Sequence, residues 1–391
     1  MLAAVADYRA LARRRLAKVA IDYLDLGAED GAAIARNRAA FDRVRFMPRV
    51  LRDVAELDCG VPLLGVSQAA PFIVGPTGLN GLYWPRAEEA LARASQRAGV
   101  PFVLSTASTS LLEDVRAASD GALWLQLYVQ EDRAIAQDLM RRAAARGYTT
   151  LMLTVDTPVH GKRDHDTRNG FRMPLPLTPR LLWDVARHPR WCVRMLRQGG
   201  APQLVNLARS AGVAPRLSTQ AAALSRRMDR RLTWDAFAWL REHWRGKVLV
   251  KGLLAVADAE LALRHGADGI VLSNHGGRQL EAVPSALEVL PAVREAVGSR
   301  LEILVDGGVR RGADIAKARA LGASAVLLGR APLYGLAARG EAGVDEVLCL
   351  LRLEFETTLR LLGLTSALAL DATALFDHPL CDDSPARPAL P

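Results

Sequence analysis

The segment Ser273-Asn274-His275-Gly276-Gly277-Arg278-Gln279 sets an imidazole and a guanidinium three residues apart with two glycines between them. An imidazole titrating near neutrality can take a proton from a hydroxy acid, and a guanidinium grips a carboxylate through two parallel N–H donors. The glycine pair allows the backbone to turn tightly between these groups. Asp156 follows the apolar run Leu151-Met152-Leu153-Thr154-Val155, where a carboxylate can orient His275 and stabilise its protonated form. Arg163, a little further on, offers a second carboxylate clamp. Tyr128, after Leu125-Gln126-Leu127, offers a phenol to the same substrate.

A second group of residues suits a phosphate. Asp306-Gly307-Gly308-Val309-Arg310 follows one apolar run, and Gly329-Arg330 follows the next. Glycines let backbone N–H groups approach phosphate oxygens, and two arginines can neutralise a dianion. No GxGxxG stands between a strand and a helix, so a nicotinamide cofactor on a Rossmann unit is not supported. FMN, with its single phosphate, fits better. Lys251 closes Val248-Leu249-Val250, where a fixed cation can offset negative charge developing on a flavin's N1–C2 edge.

These residues need a scaffold that brings distant segments to one place. Eight short apolar runs supply it: Phe72–Val74, Phe102–Leu104, Leu123–Val129, Leu151–Val155, Val248–Val250, Gly269–Leu272, Ile303–Val305 and Ala325–Leu328. Nearly continuous apolar character marks parallel strands covered by helices, and the amphipathic stretches Glu88–Ala98, Arg133–Ala145, Ala255–Arg264 and Gly312–Ala320 provide the cover. The expectation is an α/β fold, a (β/α)₈ TIM barrel. Thr77, Ser105, Asp156, Lys251, Asn274, His275, Asp306 and Gly329-Arg330 stand where the runs stop, so they are expected to converge at the C-terminal mouth.

The regularity fails between strands four and five, where an insertion over 157–225 far exceeds a usual connection. If helical, it gathers Arg180, Arg187, Arg190, Arg194 and Arg197 into one sector beside Leu, Met, Trp183 and Trp191, with Pro189 dividing the helix. Such a stripe suits an anionic membrane surface, contacted through 180–206. Residues 1–370 are read as the barrel with this insertion, and 371–391, rich in proline, as a loose tail.

The formal charge of +9 is compatible with nucleic acid, anionic lipid or a small anionic substrate; the arginine placement favours the last two, and no nucleic-acid partner is expected. Four scattered cysteines without a CxxC pair suggest neither a disulfide framework nor a zinc site. Asp7, Arg9 and Arg13-Arg14-Arg15 interrupt any apolar leader. An intracellular protein is expected, cytoplasmic or held peripherally at the inner face of the cytoplasmic membrane.

Taken together these motifs resemble the FMN-dependent 2-hydroxy-acid oxidases and dehydrogenases, from Ile21-Asp22-Tyr23 and Gly27-Ala28-Glu29-Asp30 through Leu361-Leu362-Gly363. Ser273 to Leu280 resembles that family's signature. The resemblance implies that His275 is the base, that Arg278 and Arg163 hold the substrate carboxylate, and that Tyr23 and Tyr128 line the pocket, with Asp156 partnering His275. It implies that Pro76, Thr77, Gly78, Ser105, Gln126, Thr154, Lys251 and Ser273 meet the flavin, with Asp306, Gly307, Gly308, Val309, Arg310, Gly329 and Arg330 at its phosphate. Pro76–Gly81, Trp84-Pro85, Leu104–Ser108 and Gln126–Val129 look most like the membrane-bound branch that oxidises (S)-mandelate. That branch implies a quinone acceptor, and the family a homotetramer; soluble members use oxygen. Leu26 and Gly31 depart from the early motif, and Lys162 stands where the mandelate branch carries an aromatic residue.

Overall fold

The computed structural model describes residues 1–169, 178–197, 200, 202–212 and 227–376. A hairpin of β1 (Val61–Leu63) and β2 (Val66–Gln68) precedes eight parallel strands: β3 (Phe72–Val74), β4 (Phe102–Ser105), β5 (Leu123–Leu127), β6 (Thr150–Thr154), β7 (Lys247–Leu253), β8 (Gly269–Leu272), β9 (Glu302–Asp306) and β10 (Ala325–Leu328). The eight close into a barrel in the order β10-β3-β4-β5-β6-β7-β8-β9. Each run expected from the sequence is a barrel strand. Their apolar continuity has a simple cause, because both faces of these strands are buried.

Inside the barrel, Ile73, Val103, Trp124, Met152, Leu249, Val271, Leu304 and Leu327, one from each strand, form a single cluster with Leu63 of the hairpin. The hairpin therefore plugs the lower end, a role its sequence did not announce. Outward residues such as Phe102, Leu125, Leu151 and Ile303 pack against the helices. Parallel register sets Ser105 opposite Gln126 and Thr154 opposite Lys251, so polar side chains arrive at one level above the apolar layer. Lys251 lies within β7 rather than at its end, and the ladder shifts register beside it at Gly252.

Three N-terminal helices, Val5–Arg15, Lys18–Asp25 and Ala32–Arg43, lie outside the repeating pattern. Buried Asp25 ties them to the barrel: it accepts from Arg9 at 2.9 Å and from the Tyr334 hydroxyl at 2.6 Å, and pairs with Arg13 at 2.8 Å. That anchorage positions Tyr23, two residues earlier.

The insertion contains the helices Pro179–Ala186 and Pro189–Arg197, divided at the expected proline. Trp191 is buried and donates to the Leu82 carbonyl at 2.8 Å. Arg194 departs from the expected basic stripe, lying 4.3 Å from the centroid of the Trp84 ring. Arg187, Arg190 and Arg197 are exposed, and the Arg180 side chain lies outside the described residues. At the C-terminus the chain remains docked past 370: Leu375 bridges Phe46, and the Phe376 N–H donates to the Arg45 carbonyl at 2.9 Å. The rest of the expected tail, 377–391, lies outside the described residues. Among those described, no helix is long and apolar enough to cross a membrane, and Cys59, Cys192 and Cys349 are free thiols.

Candidate active site

His275 sits immediately beyond β8 in the left-handed region, with φ of 57°, followed by Gly276 and Gly277 at 63° and 74°. A non-glycine residue held in that region is strained, and such strain persists only where surrounding contacts fix it. Here the His275 N–H donates to Ser273 Oγ at 2.9 Å, and Nδ1 lies 2.9 Å from Asp156 Oδ1. With Nδ1 donating to the carboxylate, Nε2 is left as the acceptor, 3.3 Å from the Tyr128 hydroxyl. Burial acts to raise the Asp156 carboxyl, but His275 and Lys251 outweigh it and hold the group below its ordinary range. Gly252 makes the approach possible: at φ 108°, any Cβ there would come within 2.6 Å of Asp156.

Across the same chamber Arg278 and Arg163 flank Tyr23, with guanidinium carbons 4.7 and 5.9 Å from its ring centroid. Arg278 also donates to the carbonyls of Tyr23 and Leu26 at 2.7 and 3.1 Å, fixing the backbone that carries the tyrosine. Burial, reinforced by the like charge of Arg278, lowers the pKa of Arg163. Its nearest carboxylate is Asp166 at 3.8 Å, and its Nε has no hydrogen-bond partner among the described residues. Two guanidinium groups facing one cavity with so little counter-charge make a receptor for a carboxylate.

Lys251 Nζ lies 2.9 Å from both Ser273 Oγ and Asp306 Oδ2, and Ser273 donates to Asp306 at 2.8 Å. Burial opposes the lysine's charge, while Asp306 and Asp156 raise its pKa on balance, so it stays protonated. Nearby, the Gln126 amide accepts from Ser105 Oγ and donates to Thr154 Oγ1, each at 3.0 Å. Pro76, Thr77 and Gly78 share the chamber wall with this row.

Gly307–Arg310, Gly329 and Arg330 line the same chamber. Among the described residues Arg330 donates only to the backbone carbonyls of Leu24, Leu26 and Gly276, at 2.9, 3.2 and 2.8 Å. Burial, with Arg278 adding repulsion, lowers its pKa to about 10. Arg310 bonds its own neighbour's carbonyl, from Val309, at 2.7 Å. Two arginines with carbonyl partners beside left-handed Gly307 and Gly308 have the donor chemistry of a phosphate cradle.

The chamber thus gathers His275, Arg278, Arg163, Tyr23, Tyr128, Thr154, Gln126, Lys251 and the glycine loops. One expectation needs correction. Asn274 turns away from the mouth, exchanging hydrogen bonds of 2.8 Å with Asn37. Asp306 lines the same chamber and supplies Lys251 with the counter-charge a buried ammonium requires. Lys162 is exposed and pairs with Asp164 at 3.4 Å, contributing no wall to the chamber. One contributor was missed: the Gln279 amide donates to the carbonyls of Asp156 and Val159 and accepts from Gly161 N–H, holding the catalytic loop to the signature segment. A glutamine directly after the His-Arg motif was its only signal.

A single cleft is lined both by His275, Arg278 and Arg163 and by the glycine loops with Arg310 and Arg330. Fold and site define a (β/α)₈ barrel enzyme whose mouth carries a histidine–carboxylate pair, two cavity-facing arginines and glycine loops suited to a phosphate. Residues 12–377 match the model of a family described as FMN-dependent dehydrogenase. The chain is 47% identical over 381 residues to the (S)-mandelate dehydrogenase of Pseudomonas putida, covering 97% of this chain and 95% of that one. It is 42% identical over 378 residues to an L-lactate dehydrogenase of Caulobacter vibrioides, covering 97% and 98%. A crystal structure of the monotopic membrane protein (S)-mandelate dehydrogenase superposes with a TM-score of 0.92 at 47% identity, over 96% of this chain and 99% of that chain. The chain belongs to the FMN-dependent dehydrogenase family, and FMN is its cofactor. The buried cations Arg330 and Lys251 in the chamber wall, the first lacking any carboxylate partner in salt-bridge range among the described residues, fit that group.

Proposed function

We propose that the protein oxidises an (S)-2-hydroxy acid, mandelate or a related aromatic acid, to the 2-oxo acid. The observation that carries this reading is the placement of His275 Nε2, with Asp156 behind it and Tyr128 beside it, in the chamber that Arg278 and Arg163 open onto. Bound FMN supplies the two-electron acceptor. Arg278 and Arg163 hold the substrate carboxylate, which fixes the α-carbon relative to the imidazole. His275 Nε2 receives the proton, and Asp156 stabilises the imidazolium that results. Arg310, Arg330 and the glycine loops hold the cofactor's phosphate. Lys251, with Ser105, Gln126, Thr154 and Pro76–Gly78, holds its ring and offsets negative charge there.

Anaerobic mixing of the yellow holoenzyme with (S)-mandelate, L-lactate, glycolate and long-chain 2-hydroxy acids tests this directly. Fast bleaching by mandelate is expected; bleaching by none of these acids refutes the assignment. The electron acceptor is read as a membrane quinone, with attachment at the inner membrane face through the insertion. Exposed Leu182, Trp183, Val193 and Leu196 beside Arg187, Arg190 and Arg197 support it. Steady turnover should reduce a soluble quinone analogue without stoichiometric peroxide, whereas peroxide matching substrate consumption would make the protein an oxidase.

A homotetramer is proposed as the assembly. Exposed Val50, Leu51 and Leu361 lie close together, the Arg49 N–H donating to Leu362, and offer an apolar contact for a second copy. Light scattering in detergent reads the state, and a monomer would exclude it.

A further inference from the structure

Gln130 is 1% exposed, and among the described residues neither its Oε1 nor its Nε2 has a hydrogen-bond partner. Gln126, the same residue type four positions earlier, bonds through both ends of its amide. A buried amide left unpaired at both ends is costly. The backbone around it is well held: Gln130 bridges Met228, the Asp229 N–H donates to Val129, and the Glu131 N–H donates to Arg227. The unpaired amide therefore does not reflect a loose segment.

Gln130 lines the same chamber as Tyr128. The two are separated by one residue of extended chain, so Gln130 stands about 6–7 Å further along than the tyrosine that touches His275. That distance is close to the span of a benzene ring with its far substituent. The neighbouring walls, Leu204, Leu207 and Met228, are apolar and suit the faces of such a ring.

We propose that Gln130 is a specificity-determining residue that hydrogen-bonds a hydroxyl at the far end of the substrate's side chain. The preferred substrate is then a 2-hydroxy acid bearing a hydroxylated aryl ring, rather than an unsubstituted one. A phenolic hydroxyl both donates and accepts, matching the two ends of the amide. This rests on the 2-hydroxy-acid dehydrogenase reading of the site and narrows its substrate class.

The test compares mandelate, 4-hydroxymandelate and 4-methylmandelate in anaerobic flavin reduction by the holoenzyme. The methyl compound matches the hydroxyl in size without its hydrogen bonds. Reduction efficiency with 4-hydroxymandelate is expected to exceed that with 4-methylmandelate by about tenfold or more, because a site built to bond a hydroxyl rejects its apolar analogue. Gln130→Met, close in volume, should erase or invert that ratio while mandelate changes by less than about threefold. A wild-type ratio near one overturns the proposal without any variant, as does an unchanged ratio in Gln130→Met. Equal reduction by all three acids removes this inference alone, whereas a flavin reduced by lactate and by no mandelate removes the aromatic reading with it.

Discussion

The Lys251 ammonium and the Asp306 carboxylate meet at 2.9 Å inside the barrel mouth, and Ser273 Oγ touches both. Removing two charges from water is tolerable only when each finds the other with further hydrogen bonds. This triangle meets that condition, and it leaves the lysine charged beside the chamber while its counter-charge is drawn from β9. The same serine accepts the His275 N–H, so the cation and the base are set by one hydroxyl.

Asp306→Asn should therefore cost about 3–5 kcal/mol at pH 7, the usual penalty for stranding one member of a buried pair. Burial acts to raise the Asp306 carboxyl, but Lys251 overrides it and places the folded value below the ordinary one. A depressed carboxylate contributes its full stabilisation above the unfolded value, about 3.9, and loses it as pH falls through the folded value. Urea unfolding of the two proteins should thus show a gap that is level from pH 7 to about 4 and narrows below. A gap that widens with acid would contradict the assignment.

His275→Asn is the informative change at the base, since asparagine tolerates the left-handed backbone that His275 adopts better than most residues. Flavin content should be retained while the rate of flavin reduction falls by about 10²–10⁴, the range that a positioned proton acceptor supplies. Asp156→Asn should lower the same rate with little change in substrate affinity, because that side chain acts through the imidazole. Stopped-flow bleaching at wild-type speed in either variant would remove the residue from the mechanism.

Much of this was legible in the chain. Apolar continuity marks the eight barrel strands because parallel strands are buried on both faces, and polar residues after such runs mark a mouth. What escaped depends on partners far away in sequence. Asn274 reads as a mouth residue until Asn37, 237 positions earlier, captures its amide. Asp306 beside two glycines carries no sign in the sequence that Lys251, 55 positions earlier and two strands away, is its partner. The hairpin plug escaped for another reason: each strand has only three residues, too few for a periodic signal.

The two arginines proposed to hold the substrate carboxylate should separate kinetically. Among the described residues Arg163 has no carbonyl anchors comparable to those of Arg278, so Arg163→Met should raise KM by about 10–100-fold, as loss of a charged hydrogen bond implies, with little thermal destabilisation. Arg278→Met removes the donors to Tyr23 and Leu26 as well. It should lower both kcat and thermal stability. Differential scanning fluorimetry beside steady-state kinetics reads both, and equal thermal losses in the two variants would refute the distinction.

Membrane attachment has a sharper test than excising the insertion. Excision of 181–206 would remove Trp191 from Leu82 and the buried Asn206 side chain, which accepts from Leu112 N–H at 3.1 Å and donates to Ser108 Oγ at 2.7 Å. It would therefore damage the barrel wall whether or not a membrane is involved. Leu182, Trp183, Val193 and Leu196 are instead 53%, 68%, 45% and 69% exposed, so they can be changed without touching the core. Burial of such side chains in a lipid interface is worth about 1.5–3 kcal/mol each at full transfer. Replacing all four by serine should release the protein from vesicles containing anionic lipid while turnover with a soluble acceptor persists. Sedimentation with vesicles measures the bound fraction; unchanged binding by the quadruple variant would place the attachment elsewhere. Binding should also weaken as salt rises, because Arg187, Arg190 and Arg197 add a screened electrostatic attraction to the apolar one.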